Sequence, residues 1–351
     1  MKDARDSMLR SCGPRLPKRR VVLPLVSLVA LLAGCSGAYQ PAGESAAASP
    51  TTVRMVQEWP VADAMWIPWV VAKKNGFYRE AGVDVQLIPP PNSAATIQYL
   101  GTGRADVGFS TSMDIVFAKA QNVPVVSIAA YGGKNNWGLL SLPGQPTALK
   151  DIKGKTIGTY NDSWSKAQLR MMLQSVGLGL DDVKLVTASS DTVPLLLQHK
   201  VDAITGVTNA EGSELASQGV ADYVMTPARD HGVPDSPVWG LSANTDWLAK
   251  NRGTAVGFMR ATIRGWQYAL AHPEEAVRSF LAEFPTAESP EFATRQWADT
   301  AGLFGPVVDA KTIRQTDAMW AGLLDAAVKA NLVPHAGAPG THYTNEILDA
   351  S

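Results

Sequence analysis

Strand-like and helix-like patterns alternate along most of this chain, and they do so in two rounds. In the first, Val53-Arg54-Met55-Val56 reads as a strand. Residues 67–74 read as a short helix, with Pro68 tolerated in its first turn and Gly76 at its stop. Val83, Val85 and Leu87 alternate with polar residues as a second strand, which Pro89-Pro90-Pro91 cannot continue. Asn92 or Ser93 can cap a helix in which Ile97 and Leu100 share a face. Residues 105–109 form a third strand, Ser112 or Asp114 starts another helix, and residues 125–129 form a fourth strand. The second round has a strand over 155–159 and a helix from Ser163 or Ser165 to Val176, stopped by Gly177. A strand over 183–186, a short helix over 192–199 and a strand over 201–206 follow. Strands separated by helical patterns of this length point to sheets built of parallel βαβ units.

A local echo supports two similar α/β lobes. Gly103-Arg104-Ala105-Asp106-Val107-Gly108 and His199-Lys200-Val201-Asp202-Ala203-Ile204 each place a basic residue and an Asp at a helix-to-strand turn. After about Val238 the texture becomes helical. Phe258, Ile263, Trp266, Tyr268 and Leu270 populate a long helix to Ala271, and His272-Pro273-Glu274-Glu275 ends it and starts the next. Further helical patterns run near 291–301 and 312–330, before a Gly- and Pro-rich end.

The chain start is set apart from this body. Lys18, Arg19 and Arg20 precede an uncharged run over 21–34, as in a signal peptide, and the run is too short for a membrane span. It ends Leu32-Ala33-Gly34-Cys35, which resembles the lipobox of bacterial lipoproteins. That resemblance implies cleavage before Cys35, a lipid on its sulfur and anchoring to the membrane. Gly, Ala, Ser and Pro then make residues 36–50 a flexible tether. Removing residues 1–34 takes away seven of 31 basic residues and two of 32 acidic ones, so the body carries about −6. Such a body lacks the Lys/Arg excess on which nucleic-acid affinity rests. Cys12 leaves with the signal and Cys35 is committed to lipid, so no thiol remains for a disulfide, a zinc site or a nucleophile. The five His residues show no metal-ligand spacing, and no Gly-rich phosphate loop or nucleophile elbow is present. A resident metal, a cofactor and an enzymatic site are therefore not expected.

Three segments carry a resemblance to a known family: Ala72-Lys73-Lys74-Asn75-Gly76-Phe77-Tyr78-Arg79-Glu80-Ala81-Gly82-Val83-Asp84-Val85, Gly103-Arg104-Ala105-Asp106-Val107-Gly108, and Leu149-Lys150-Asp151-Ile152-Lys153-Gly154-Lys155-Thr156-Ile157-Gly158. They are similar to the periplasmic solute-binding proteins of ABC importers, in the branch that binds nitrate, alkanesulfonates, taurine and thiamine pyrimidine precursors. The resemblance spans residues 51–330. It implies a two-lobed α/β periplasmic-binding-protein fold of type II, each lobe a mainly parallel sheet flanked by helices, with two crossing hinge strands near 127–142 and 237–243. It divides the chain into a signal over 1–34, a lipidated tether over 35–50, lobe 1 over 51–135 plus 238–335, lobe 2 over 136–237, and a tail over 336–351. It implies a monomer that closes on a small solute and delivers it to permease and ATPase subunits.

Ligands of such sheets sit off the carboxyl ends of the strands. That rule selects Trp59, Asp63, Trp66, Ser110, Thr111 and Tyr131 in lobe 1, and Asn161, Ser163, Trp164, Asn209 and Glu211 in lobe 2, with Tyr160 and Asp162 beside them. Asp63 can equally cap its loop, and Glu211 can equally be a helix-start acid. Trp266, Trp297, Trp320 and Met171-Met172 lie in helical patterns and read as core. The run Gly206-Val207-Thr208-Asn209-Ala210-Glu211 resembles the segment that follows the corresponding strand in the family's pyrimidine-precursor binders. A carboxylate suits an aminopyrimidine, since it can accept from an exocyclic amine and a ring N–H together. A thiamine-type aminopyrimidine or related nitrogen heterocycle is the expected solute; an alkanesulfonate or taurine-type solute, or a small-molecule enzyme on the same fold, is the alternative.

Overall fold

A computed structural model describes residues 49–351 apart from 146–147 and 189–190. The expected signal segment, Cys35 and all but the end of the tether lie outside the described residues. In chain order the strands are β1 (Thr51–Val56), β2 (Val83–Ile88), β3 (Val107–Thr111), β4 (Val125–Tyr131) and β5 (Trp137–Ser141). Then come β6 (Thr156–Tyr160), β7 (Lys184–Ala188), β8 (Ala203–Val207), β9 (Val224–Pro227) and β10 (Trp239–Asn244).

These strands make two five-stranded sheets with the same order of roles: β2-β1-β3-β10-β4 and β7-β6-β8-β5-β9. β1 runs parallel to β2 and β3, and β6 runs parallel to β7 and β8. The sheets are nevertheless mixed, because β10 is antiparallel to β3 and β4, and β5 is antiparallel to β8 and β9. In each sheet the antiparallel member is the strand that has crossed from the other. The chain leaves the first sheet at β4, enters the second as β5, and returns as β10.

Helices cover the sheets. They are α1 (Ile67–Lys74), α2 (Phe77–Glu80), α3 (Ala95–Gly101), α4 (Ser112–Ala120), α5 (Ser163–Ser175), α6 (Val193–Leu197) and α7 (Glu211–Ser217). The later ones are α8 (Thr245–Lys250), α9 (Arg252–Ala271), α10 (Pro273–Glu283), α11 (Pro290–Ala301), α12 (Asp317–Lys329) and α13 (Glu346–Ala350). Trp69, Phe109, Tyr131 and Trp266 pack ring against ring in the first sheet's core, with Trp69 and Tyr131 stacked at 6.0 Å. Residues 336–351 fold back on this layer: Ile347 and Leu348 are buried and Tyr343 bridges to Ser127.

The sequence echo is one structural device used twice. Gly103 (φ 68°) and His199 (φ 53°) both take left-handed backbone at the turn. Asp106 Oδ2 then accepts from the Arg54 N–H at 2.8 Å, and Asp202 Oδ2 from the Thr156 N–H at 2.8 Å. Each Asp thus pins the neighbouring parallel strand. The paired cations are Arg54 and Lys155. Arg104 of the echo instead lies over the Tyr99 ring at 4.1 Å.

Candidate functional site

The carboxyl ends of β1, β3, β6 and β8 converge on a cavity of about 340 Å³. Local capping shapes its rim. Asp63 accepts from Met65 N at 2.9 Å and starts the 3-10 turn Ala64–Trp66. Asp162 accepts from Ser165 N at 2.6 Å and starts α5. Aromatic rings form the walls. Trp59 meets Tyr160 edge-on at 5.0 Å, and Trp164 meets Trp239 edge-on at 5.1 Å. Phe109 stacks on Trp239 behind them at 5.4 Å.

Seven carboxylates face the same space. Glu58, Asp63 and Glu288 come from the first sheet's side, and Asp162, Asp191, Glu211 and Glu214 from the second's. Among the described residues no Lys, Arg or His lines the cavity. Burial is the leading cause of a raised pKa in every one. It lifts Asp63 and Glu214 to about 7 and Glu288 to about 9, and neighbouring carboxylates add to each. Glu58 is held well above the carboxylate range by burial and then by Asp114 and Asp162. Burial likewise raises Asp114, behind Glu58, to about 7. Glu211 is raised by burial, while hydrogen bonds from the Tyr160 hydroxyl at 2.6 Å and the Val207 N–H at 2.8 Å oppose the shift. A Cβ on Gly206 would stand 2.5 Å from Glu211 Oε2, so the glycine makes room for this carboxylate. Such a cavity can accept N–H donors and positive charge and can stack a flat ring.

Of the residues selected from sequence, Trp59, Asp63, Trp66, Tyr160, Asp162, Trp164 and Glu211 line the cavity. Six do not: four are committed to other partners and two are exposed. Ser110 Oγ lies 2.9 Å from Ser242 Oγ between β3 and β10. Thr111 is the N-cap of α4, accepting from Asp114 N at 3.0 Å. Tyr131 is buried among aromatic rings, its hydroxyl donating to Met65 O at 3.0 Å. Asn161 and Ser163 are exposed, Asn161 accepting from Lys166. Asn209 is fully buried and clasps the two sides together, accepting from Asn136 and donating to Thr300 of α11 at 2.9 Å. Asp63 acts as a loop cap and as a lining group at once. Sequence reasoning missed the carboxylates Glu58, Asp191, Glu214 and Glu288 and the rings Phe109, Trp137 and Trp239. Glu58, next to Trp59 after β1, and Asp191, shortly after β7, carried the strand-end signal.

Comparison with known proteins places this geometry. The family described as NMT1/THI5 like matches residues 64–276, more than half of the chain. A formylaminopyrimidine-binding protein of Halalkalibacterium halodurans is 25% identical over 241 residues, covering 68% of this chain and 72% of that protein. A 4-amino-5-hydroxymethyl-2-methylpyrimidine phosphate synthase of Aspergillus parasiticus is 27% identical over 234 residues, covering 64% and 68%. Among solved structures, the periplasmic aliphatic sulphonate binding protein SsuA of Escherichia coli superposes with a TM-score of 0.66 at 17% identity, over 86% of this chain and all of that one, which establishes the periplasmic-binding-protein fold. The synthase overturns the expectation that the chain is not an enzyme. The absence of Cys from residues 36–351 bears on cysteine chemistry alone, and the chain is as similar to a named enzyme as to a named binding protein. By the extent of the match, the chain belongs to the NMT1/THI5-like family.

Proposed function

We propose that this chain captures a thiamine-type aminopyrimidine, or a related nitrogen heterocycle, between its two sheets and hands it to the permease and ATPase of an ABC importer. One observation carries the reading: a cavity walled by aromatic rings and seven carboxylates, with no lining cation among the described residues. An aminopyrimidine offers the flat face and the N–H donors that such walls take up. A sulfonate would find no lining cation among the described residues to balance its charge, so the sulfonate-binding neighbours speak for the fold and not for the solute. The pyrimidine in the name of the Halalkalibacterium relative supports the same choice.

Closure follows from differential contact. Trp164 Nε1 donates across to Glu58, Asn209 reaches Thr300, and Ser213 donates to Asp299 at 2.7 Å. A guest favours the closed form only through contacts that are better there than in the open form. Calorimetry tests the solute: an aminopyrimidine should bind and an alkanesulfonate should give no heat, and the reverse result would reject the reading. A second reading, in which the pyrimidine is formed or altered in the cavity, draws on the synthase relatives. Mass spectrometry of the released guest separates the two, since capture returns it unchanged. We also propose extracytoplasmic placement through a lipid on Cys35, motivated by Leu32-Ala33-Gly34-Cys35. Cys35→Ser should leave the membrane fraction, and retention there would rule out the anchor.

A further inference from the structure

We propose that the guest is held as a cation, its positive charge set against Glu58 where the two sheets meet. This rests on the reading that the cavity takes a small nitrogen-bearing guest, and adds the charge state and the residue that senses it. Glu58 follows β1 and is 3% exposed. Its Oε1 accepts from Trp164 Nε1 of α5 at 3.1 Å, and Oε2 takes no hydrogen bond from the described residues although the side chain lines the cavity. A carboxylate this buried, with one neutral donor, is undercompensated: it must be neutralised by a proton or meet a cation.

Among the described residues no Lys, Arg or His lines the cavity beside Glu58. Asp63, Asp114 and Glu288 approach from the first sheet's side; Tyr160, Asp162 and Asp191, with Glu211 and Glu214 of α7, approach from the second's. Lys166 donates to Asn161 at 2.9 Å and its charge falls on Asp162, whose rise it opposes, and Arg295 of α11 is paired with Asp299 at 2.6 Å. The carboxylates bind protons more readily in this arrangement than when the sides are apart, since burial and mutual repulsion lift them. Enclosing a guest therefore takes up protons, and a guest that brings its own charge needs fewer. A neutral heterocyclic base would take a proton from solvent onto its ring nitrogen, while a permanent cation needs none. The rings of Trp59 and Trp164 favour the charged form further.

The test is calorimetry near pH ~8, in two buffers of different ionisation enthalpy, with 4-amino-2,5-dimethylpyrimidine and its ring N-methylated cation. The neutral probe should take up about one proton more than the cation, so its affinity should fall relative to the cation's by roughly tenfold per unit of rising pH. Glu58→Gln should abolish the difference and Glu58→Asp should retain it. Equal proton exchange by the two probes overturns the inference, and a difference that survives Glu58→Gln removes Glu58 from the role. If neither pyrimidine binds, the proposed function fails, and thermal shift with N-methyl-4-aminopyridinium against methoxybenzene decides the charge question. Stabilisation by the cation alone supports the inference; stabilisation by the neutral ring alone, by both equally, or by neither overturns it.

Discussion

Glu211 occupies the first position of α7, and three requirements meet on its side chain. One oxygen holds the Tyr160 hydroxyl, the other the Val207 N–H, and Gly206 leaves the space in which the carboxylate lies. An acid suits that helix position in any case, but a solvated acid needs no such seat. Glu211→Gln should weaken aminopyrimidine binding by about 1.5–3 kcal/mol, the range for a hydrogen bond to a charged group. Unchanged affinity in a calorimetric titration would remove Glu211 from the site. Trp59, Trp164 and Glu211 were legible because they follow strands and no helical or strand period explains them. Glu58 carried the same strand-end signal but not its setting, because the indole N–H that it accepts belongs to Trp164, 106 positions along the chain. Phe109 and Trp239 were hidden differently: β3 and β10 are buried on both faces, so alternation gives no sign of which side chain faces the cavity. Tyr131 misled for the same reason, since every residue of β4 is buried.

Element boundaries were legible where backbone chemistry marks them. Pro68, Gly76 and Pro273 set the limits of α1 and α10 as expected. The pattern read over 312–330 starts late, at Asp317, because Asp309 Oδ1 accepts from Lys311 N and Thr312 N in a local turn and Thr316 supplies the true cap. The strand expected from Ala105 begins at Val107, since Ala105 N still bonds back to Tyr99 O across the turn. Packing between elements is less visible in a sequence. α1 lies on α9 at Gly265, where a Cβ would stand 2.2 Å from Pro68 O and 2.8 Å from the Ala72 side chain. Backbone cannot yield as a flexible side chain can, so Gly265→Ala should destabilise by about 1–3 kcal/mol. Urea unfolding checks this, and an unchanged midpoint would mean that α1 shifts freely on α9.

At the scale of the whole molecule, the two rounds of strands and helices foretold two sheets, whereas the antiparallel β5 and β10 depend on each sheet receiving a strand from the other. The same exchange joins β3 to β10 and β8 to β5 beside the cavity, so the sheet ends that carry its walls are tied to the crossings. The fold thereby faces two acidic surfaces across a small aromatic-lined space, an arrangement whose electrostatic cost a guest relieves only by bringing N–H donors or positive charge. A crystal structure with a thiamine-type aminopyrimidine tests this most directly. The expected result is the unaltered pyrimidine between the two sheets, its N–H groups on Glu211 or Glu58 and its ring among Trp59 and Trp164. A pyrimidine lodged away from the intersheet cavity, or present there as a different compound, would contradict the account.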